Sequence, residues 1–303
     1  MFSGLYVALV TPFTAKGELN EAKLRELVRF HISAGTDGLV PCGTTGENAV
    51  LVGREERERV IRIVAEEAAG KLKVVAGAGT NSTSETIRNV QRLEQLGVDG
   101  ALVITPYYNK PTQAGLLAHF RAVAAESSVP IVMYNVPGRT GVNMLPETVA
   151  ELAAEDRIVA IKEASGDLEQ ASWIVRRCGE TLTLISGDDA LTYPMLCIGG
   201  RGVISVVANV VPADMGAMIR AQQAGDQATA RSLHLRLLPL VQALFLETNP
   251  MPVKEALNQL GWDVGPPRLP LVAMGSQTAA RLREALRAYG LEPVEVSGVR
   301  ERN

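Results

Sequence analysis

The feature that most limits the fold of this chain is a regular alternation of short apolar runs with helical patterns. Eight such pairs fill the first 225 residues, and the apolar runs span residues 5–10, 38–41, 73–78, 100–105, 131–135, 158–162, 182–186 and 202–207. The runs show no apolar–polar alternation, so each predicts a strand buried on both faces, as in a parallel sheet covered by helices. Eight strand–helix units are the number that closes a (β/α)8 barrel, the TIM barrel.

A doubly wound open sheet is the competing architecture for such an alternation. That fold commonly carries a GxGxxG turn after its first strand, and this sequence has none. We therefore predict a catalytic barrel over residues 1–225. Beyond it the pattern changes to helices alone, over 226–245, 252–260 and 277–289, so residues 226–303 are predicted to form a C-terminal helical region packed on the barrel.

Charge and hydropathy argue against several classes of function. The net charge is −3 and the pI is about 5.8, whereas binding to nucleic acid or to an anionic membrane requires basic patches. No run of ~18 apolar residues is present that would predict a membrane span. The first residues show no signal-peptide pattern, so we expect a cytoplasmic protein.

Cysteines and histidines are few and scattered, and none of them stand at metal-ligand spacing: Cys42, Cys178, Cys197, His31, His119 and His234. The sequence therefore predicts no metal site and no cofactor. We expect structural thiols in a reducing compartment and imidazoles that lie at the surface or half-buried.

Lys162 ends the sixth predicted strand, directly before the loop that begins with Glu163. At that position its Cα would lie in a packed wall while its amine reached a cavity. Burial disfavours the charged form of a lysine, and a neutral amine is a nucleophile toward carbonyl carbons, as in Schiff-base catalysis. A strand-end lysine pointing into solvent is the other interpretation of this stretch alone.

The other strand ends support the catalytic interpretation, because a barrel carries its active site there. They hold hydroxyls and a guanidinium, in Thr44, Thr45, Tyr108, Tyr134 and Arg139. Without carboxylate or histidine clusters for a metal, this set suits a carbonyl substrate bearing carboxylates. Taken singly, the two threonines could be an ordinary turn, Tyr134 a packing residue, and Arg139 a solvated residue of the predicted loop 137–141.

Six motifs along the barrel, and one in the tail, occur in an order that resembles a known family. They are Gly43-Thr-Thr-Gly-Glu47, Thr105-Pro-Tyr-Tyr-Asn109, Tyr134-Asn-Val-Pro-Gly-Arg-Thr-Gly141, Ile161-Lys-Glu-Ala-Ser-Gly166, Ser186-Gly-Asp-Asp189, Gly202-Val-Ile-Ser205 and Asn249-Pro-Met-Pro-Val-Lys254. The chain resembles the 4-hydroxy-tetrahydrodipicolinate synthases, also called dihydrodipicolinate synthases, of the pyruvate-dependent class I aldolase superfamily. The resemblance implies condensation of pyruvate with L-aspartate 4-semialdehyde in lysine and diaminopimelate biosynthesis, by a homotetramer built as a dimer of dimers.

The resemblance also implies a role for each candidate residue. Lys162 would form the imine with pyruvate. Tyr134 would pass protons, linked to Thr44 and to Tyr108 from a neighbouring subunit. The remaining substrate contacts would come from Thr45 to the pyruvate carboxylate, from Gly187 and Ile204 by their backbones, and from Arg139 to the carboxylate of the semialdehyde.

Members of this family that lysine inhibits bind it at a subunit interface. The matching positions here are Asn81, Glu85 and Tyr107. Gly53 and Glu56, however, stand where those members carry histidines, and Asn48 replaces a serine. The resemblance therefore leaves inhibition by lysine open.

Three other functions fit parts of the same pattern. N-acetylneuraminate lyase, or another 2-keto acid aldolase, would keep the imine and take a different aldehyde, against which Arg139 argues. A silent barrel acting as a sensor or binding module would have no need of Lys162, Tyr134 and Thr44 together. A phosphate-binding barrel would need a glycine-rich cradle after strands seven and eight, and the sequence offers none.

Overall fold

The computed structural model describes residues 2–294, and within them eight parallel strands close into a barrel in sequence order. The strands are β1 (Gly4–Ala8), β2 (Gly38–Val40), β3 (Lys73–Gly77), β4 (Gly100–Ile104), β5 (Ile131–Asn135), β6 (Ile158–Glu163), β7 (Thr183–Ser186) and β8 (Gly202–Ser205). Pairing of β1 with β8, from Gly4 beside Gly202 to Val7 beside Ser205, closes the ring. The predicted (β/α)8 barrel is therefore confirmed.

Helices cover the outside of the barrel and continue into the C-terminal region. They are α1 (Glu21–Ser33), α2 (Gly53–Ala68), α3 (Thr83–Leu93), α4 (Gln113–Ala125), α5 (Pro137–Thr140), α6 (Pro146–Leu152), α7 (Leu168–Cys178), α8 (Thr192–Cys197), α9 (Pro212–Gln223), α10 (Gln227–Ala243), α11 (Met251–Gln259) and α12 (Ser276–Tyr289). The C-terminal helices predicted from the sequence are present as α10, α11 and α12, while residues 295–303 of that region lie outside the described residues.

The eighth strand is shorter than predicted, because a buried carboxylate takes up the backbone that would extend it. The N–H groups of Val206 and Val207 both donate to Oδ2 of Asp189, at 2.9 and 3.0 Å. The strand consequently ends at Ser205 rather than at residue 207. Burial raises the pKa of Asp189, and these two donors oppose that shift.

Residues of each strand alternate between the inside of the barrel and the surrounding helices. The inner residues form one buried cluster, which includes Tyr6, Ala8, Val40, Val75, Leu102, Val132, Tyr134, Ala160, Ile185 and Ile204. The outward residues pack with the helices in a second, larger cluster. Lys162 follows Ala160 in the inward series, so the alternation alone directs its side chain into the barrel.

A buried ion pair joins the C-terminal helices to the barrel. Nζ of Lys254, in α11, lies 2.7 Å from Oε1 of Glu47, in the segment after β2, and both side chains are buried. The ammonium group also donates to the carbonyl oxygens of Thr11 and Pro266. Burial lowers the pKa of Lys254, and the negative charge of Glu47 opposes the shift. All three donors of the ammonium are thus satisfied, which is the condition under which a buried ion pair is tolerated.

Two of the three histidines are buried, so the expectation of surface or half-buried imidazoles is wrong for His31 and His119. His31 lies on the apolar face of α1 beside Leu27 and Val28, and neither ring nitrogen has a partner within residues 2–294. Burial lowers the pKa of His31 to about 3 and that of His119 to about 4. His234 is half-buried, as expected.

We expect acid to destabilise the fold partly through His31. An unfolded histidine takes up a proton near pH 6.5, but the folded His31 does so only near pH 3. The unfolded state therefore binds more protons between these values, and the stability that is complete above pH 6.5 is lost as the pH falls toward 3. The loss from this group is roughly 1.4 kcal/mol per pH unit.

The measurement is the free energy of unfolding in urea at pH 7 and pH 5, at one protein concentration. His31→Leu removes the titrating group and should reduce the difference between the two pH values by about 2 kcal/mol. His234→Gln, at a half-buried site, should reduce it less. Equal differences in the parent protein and in His31→Leu would contradict the assignment.

Candidate active site

A cavity of about 390 Å³ opens at the carboxyl ends of the strands. Its polar lining consists of Thr44, Thr45, Tyr134, Arg139, Lys162, Asp188, Gln242 and Asn249. Much of the remaining wall is apolar, from Val40, Leu102, Val136, Val206, Val241 and Phe245. A mainly apolar cleft with a few convergent polar groups is the usual form of a site for a small molecule. Five candidates from three strand ends thus meet in one cavity, as the sequence predicts: Thr44, Thr45, Tyr134, Arg139 and Lys162.

Lys162 and Tyr134 face each other across adjacent strands. Their Cα atoms are register partners in the pairing of β5 with β6, and the Lys162 Nζ lies 4.3 Å from the centre of the Tyr134 ring. The side chain of Lys162 lines the cavity, although the residue is only 6% exposed. The amine therefore reaches the ligand space from within the barrel wall, and the interpretation of Lys162 as a solvated strand-end residue is wrong.

Gly187 provides the room in which the Lys162 side chain lies. A Cβ atom built on Gly187 would lie 3.0 Å from both Cγ and Cε of Lys162, and 2.7 Å from Cβ of Ala164. Ordinary carbon contacts are longer than this, so any side chain at 187 would displace the lysine. Position 187 therefore requires glycine, because the Lys162 side chain passes directly beside it.

The C-terminal region completes the cavity through Asn249. Its Nδ2 donates to Oγ1 of the buried Thr45 at 2.8 Å, although the two residues are separated by 204 positions. Valine, glutamine and phenylalanine side chains of the preceding segment, at 241, 242 and 245, line the same cavity. The motif that contains Asn249 was visible in the sequence, but its contact with Thr45 was not predicted.

Arg139 lies in α5, a one-turn helix where the sequence predicted a loop, so that prediction is wrong. Proline at the first position of α5 supplies the helical φ angle, and Gly141 ends the turn with φ of 74°. The guanidinium lines the cavity, and its Nη2 donates to the carbonyl oxygen of Asn249 at 3.3 Å. One helical turn thus holds Arg139 at the rim with several of its donors free for a ligand.

The hydroxyls expected to pass protons do not form a complete chain of hydrogen bonds within residues 2–294. Thr44 and Tyr134 line the same cavity, but no hydrogen bond joins their hydroxyls within residues 2–294. Tyr108 is 88% exposed and does not line the cavity. Its φ angle of 74° is in the left-handed region, which is rare for a bulky side chain. The predicted relay remains a prediction.

Ile204 lies within the barrel and is not on the cavity wall. It is buried in the inner cluster beside Tyr6, whereas Val206, two residues later, lines the cavity. The backbone contact with substrate that the resemblance implies for Ile204 likewise remains a prediction.

A buried carboxylate on the outer side of the same strands fixes the ends that carry Tyr134 and Lys162. Glu163 accepts hydrogen bonds from Asn135 at 3.0 Å, from Gln170 at 3.2 Å and from the Ser165 backbone at 2.6 Å. Burial raises the pKa of Glu163, and these donors oppose the shift. Because Asn135 and Glu163 are register partners, the network ties β5 to β6 directly behind the two inward residues. No local sequence pattern predicts this network, because its members come from separate segments.

A second cavity, of about 500 Å³, shares Thr44, Tyr134, Arg139 and Asn249 with the first. Of the residues predicted for a feedback site, Tyr107 lines this cavity, but Asn81 and Glu85 do not. The Asn81 carbonyl accepts a hydrogen bond from Asn109, and Glu85 pairs with Arg88.

Glu56, at one of the positions compared with the feedback site, forms an ion pair with Arg268. Its two carboxylate oxygens each lie 2.6 Å from a nitrogen of Arg268, and the Arg268 guanidinium stacks on the ring of Phe13 at 3.9 Å. This pair holds the pKa of Glu56 below its usual range. The ion pair leaves Glu56 little capacity to bind a ligand, and the predicted feedback site remains a prediction.

Within residues 2–294 there is no group of three or more histidine, cysteine or acidic side chains placed to hold a metal ion. In the same range, no helix has the length and apolar character needed to cross a membrane. The side chains that line the cavity supply an amine, hydroxyls, amides, a guanidinium and a carboxylate.

The chain is similar to known proteins in both sequence and structure. The sequence matches the dihydrodipicolinate synthetase family over residues 1–289. A 4-hydroxy-tetrahydrodipicolinate synthase of Syntrophobacter fumaroxidans is 51% identical over 294 residues, which cover 96% of this chain and 100% of that protein. The dihydrodipicolinate synthase of Aquifex aeolicus is 45% identical with a TM-score of 0.94, covering 97% of this chain and 100% of that one. The chloride-inhibited enzyme of Acinetobacter baumannii, solved in complex with pyruvate, is 39% identical with a TM-score of 0.94 over 96% of this chain and 100% of that one.

We expect Gly187→Ala to impair the reactivity of Lys162. The added methyl group would crowd the lysine side chain from 3.0 Å and force the amine away from its position. Overpacking of this kind costs ~1–3 kcal/mol, so imine formation with pyruvate should slow roughly 10- to 100-fold. The measurement is the rate at which borohydride traps a pyruvate adduct. Gly138→Ala is the matched control, because no heavy atom lies within 4 Å of a Cβ built there. Trapping by Gly187→Ala at the parent rate would refute this role for the glycine.

Proposed function

Because this chain belongs to the dihydrodipicolinate synthetase family, we propose that it condenses pyruvate with L-aspartate 4-semialdehyde to give 4-hydroxy-tetrahydrodipicolinate. The reaction belongs to lysine and diaminopimelate biosynthesis. The observation that carries the proposal is the position of the Lys162 amine, which projects from a buried strand into a cavity that also contains Arg139. An amine beside a carboxylate-binding group suits an acidic carbonyl substrate.

The chemistry begins with the amine of Lys162. It attacks the carbonyl carbon of pyruvate, and loss of water leaves a protonated imine. This iminium draws electrons from the adjacent methyl group, so one methyl proton can be removed to give an enamine. The enamine carbon then attacks the aldehyde carbon of the semialdehyde, whose oxygen takes up a proton. Finally the α-ammonium group of the semialdehyde portion loses a proton, and the resulting amine attacks the iminium carbon. A proton passes to the Lys162 nitrogen, which leaves as the free amine, and the ring is left as a cyclic imine.

The remaining side chains of the cavity bind the substrates and move protons. We assign the pyruvate carboxylate to Thr45, whose hydroxyl Asn249 already orients. Arg139, at the rim, binds the carboxylate of the semialdehyde by its planar fork. Tyr134, whose ring centre lies 4.3 Å from the Lys162 amine, transfers protons together with Thr44.

We further propose that the active unit is a dimer within a homotetramer. Large apolar side chains are exposed on this subunit, including Val52 at 74%, Tyr108 at 88% and Leu269 at 78%. Val52 and Leu269 adjoin the two partners of the Glu56–Arg268 ion pair, so they belong to one surface. An apolar surface of this kind commonly marks an interface between subunits. Tyr108, exposed on a separate loop, would enter the proton relay of a neighbouring subunit.

The division of the chain and its location are also proposals. Residues 1–225 would be the catalytic barrel, and 226–303 a helical region that completes the site, a division supported by the contact of Asn249 with Thr45. A cytoplasmic location is supported by the three cysteines, which all carry free thiols.

We expect borohydride reduction in the presence of pyruvate to fix a covalent adduct on Lys162, because only an amine with access to the cavity can form the imine. Purified protein should also consume pyruvate and aspartate semialdehyde together in a coupled assay. Lys162→Arg should lose both properties, since a guanidinium does not form this imine. Lys73→Arg, at an exposed lysine, is the control. An adduct mapped to another lysine, or the absence of condensation, would overturn the proposed function.

If Tyr108 acts in a neighbouring site, two inactive chains should restore each other. Tyr108→Phe removes the hydroxyl that one chain donates, and Lys162→Ala removes the amine of the other. In a mixed dimer one site then carries both defects and the other carries neither. Partial activity should return when the two variants are unfolded together and reassembled, with mass measurement confirming hybrids. Hybrids without activity, or a fully active monomer at low concentration, would count against this arrangement.

A further inference from the structure

The charges that line the 390 Å³ cavity leave one feature of the proposed substrate without a partner. The charged residues of the lining are Arg139, Lys162 and Asp188. Arg139 is assigned to the carboxylate of the semialdehyde, and Lys162 forms the imine with pyruvate. Aspartate semialdehyde also carries an α-ammonium group, which enters a site that already holds the Arg139 guanidinium and the Lys162 nitrogen, cationic whenever the adduct is an iminium. A buried cation beside two others is strongly disfavoured unless an anion accompanies it.

Asp188 is the carboxylate at this cavity, and its position is fixed by the turn after β7. Its carbonyl oxygen accepts hydrogen bonds from the hydroxyls of Ser186, at 2.7 Å, and Thr192, at 2.9 Å. Its side-chain Oδ1 accepts the backbone N–H of Ala190 at 2.8 Å, and Ala190 itself lines the cavity. One oxygen of the carboxylate is thus bound by the turn, while Oδ2 is left for a ligand.

Asp188 is adjacent in the chain to the residue that packs against Lys162. It follows Gly187, where an added Cβ atom would lie 3.0 Å from Cγ and Cε of Lys162. An amino group two carbons from the aldehyde carbon would therefore lie within reach of this carboxylate while the aldehyde met the enamine. Side-chain flexibility is limited because Asp188 is half-buried.

The neighbouring Asp189 differs in role. It is buried, and its Oδ2 is consumed by the backbone N–H groups of Val206 and Val207. Asp189 therefore fixes the backbone after β8, whereas Asp188 lines the cavity.

We propose that Asp188 binds the α-ammonium group of the semialdehyde and so selects an amino-acid aldehyde over a carboxylated aldehyde that lacks the amine. This inference rests on the proposed function and assigns a specificity-determining residue to the same site. It makes the cavity complementary to a zwitterion, with Arg139 opposite the carboxylate and Asp188 opposite the ammonium.

The test uses Asp188→Asn and two aldehydes of equal length. Asparagine keeps an acceptor for the Ala190 N–H and removes the charge. The value of kcat/KM for aspartate semialdehyde should fall roughly 10- to 100-fold, as for loss of a charge-assisted contact. Succinic semialdehyde has the same aldehyde and carboxylate but no amine, and its inhibition constant as a competitor of the condensation should change less than about twofold.

Control variants separate binding of the ammonium from general damage. Asp226→Asn makes the same change at the N-cap of α10, away from the cavity, and should leave both constants unaltered. Asp188→Ser, whose hydroxyl can accept the Ala190 N–H, should repeat the selective loss. Equal losses for both aldehydes, or no loss for either, would overturn the proposal. Borohydride trapping of pyruvate on the variants is independent of the second substrate, so failure here is distinguishable from failure of the proposed function.

Discussion

The register between strands β5 and β6 is the constraint on which the site depends. It pairs Tyr134 with Lys162 and Asn135 with Glu163. Because neighbouring residues of a strand point in opposite directions, one pair faces the cavity and the other faces the helices. A shift by one residue would bury the amine behind the barrel and direct the carboxylate of Glu163 into the ligand space. The hydrogen bonds to Glu163 oppose such a shift, so a polar network outside the barrel maintains the geometry inside it.

The barrel alone does not complete the cavity. Thr45 is oriented by Asn249, Arg139 is held by the carbonyl of the same residue, and Glu47 is neutralised by Lys254. The C-terminal region therefore contacts both sides of the ligand space. The inner walls formed by the strands are apolar except for Tyr134 and Lys162, and the other polar groups belong to segments that follow strands or to the C-terminal region. A rigid frame thus carries the chemistry on short connections, which is the usual arrangement in this type of barrel.

The architecture and the central residues could be predicted because both depend on local patterns. Apolar runs of strand length identified β1 to β8, and the position after each run identified Lys162 and Arg139 before any contact was known. Contacts between distant segments leave no such pattern. The hydrogen bond from Asn249 to Thr45 spans 204 positions, and the burial of His31 depends on what packs over α1. Asp188 and Asp189 stand side by side in the motif Ser186-Gly-Asp-Asp189, and only the shape of the cavity distinguishes one from the other.

The ion pair between Lys254 and Glu47 has a consequence for folding during synthesis on the ribosome. Glu47 is synthesised 207 residues before its partner. Until α11 emerges, the nascent barrel holds a carboxylate without its counter-charge, a state that a low-dielectric setting disfavours. The segment that bears Thr44 and Thr45 therefore gains its contacts with Asn249 and Lys254 only after all eight strands have been synthesised. A product interrupted before residue 249 would contain the whole barrel and none of these contacts, so the C-terminal helices distinguish a finished chain from an unfinished one.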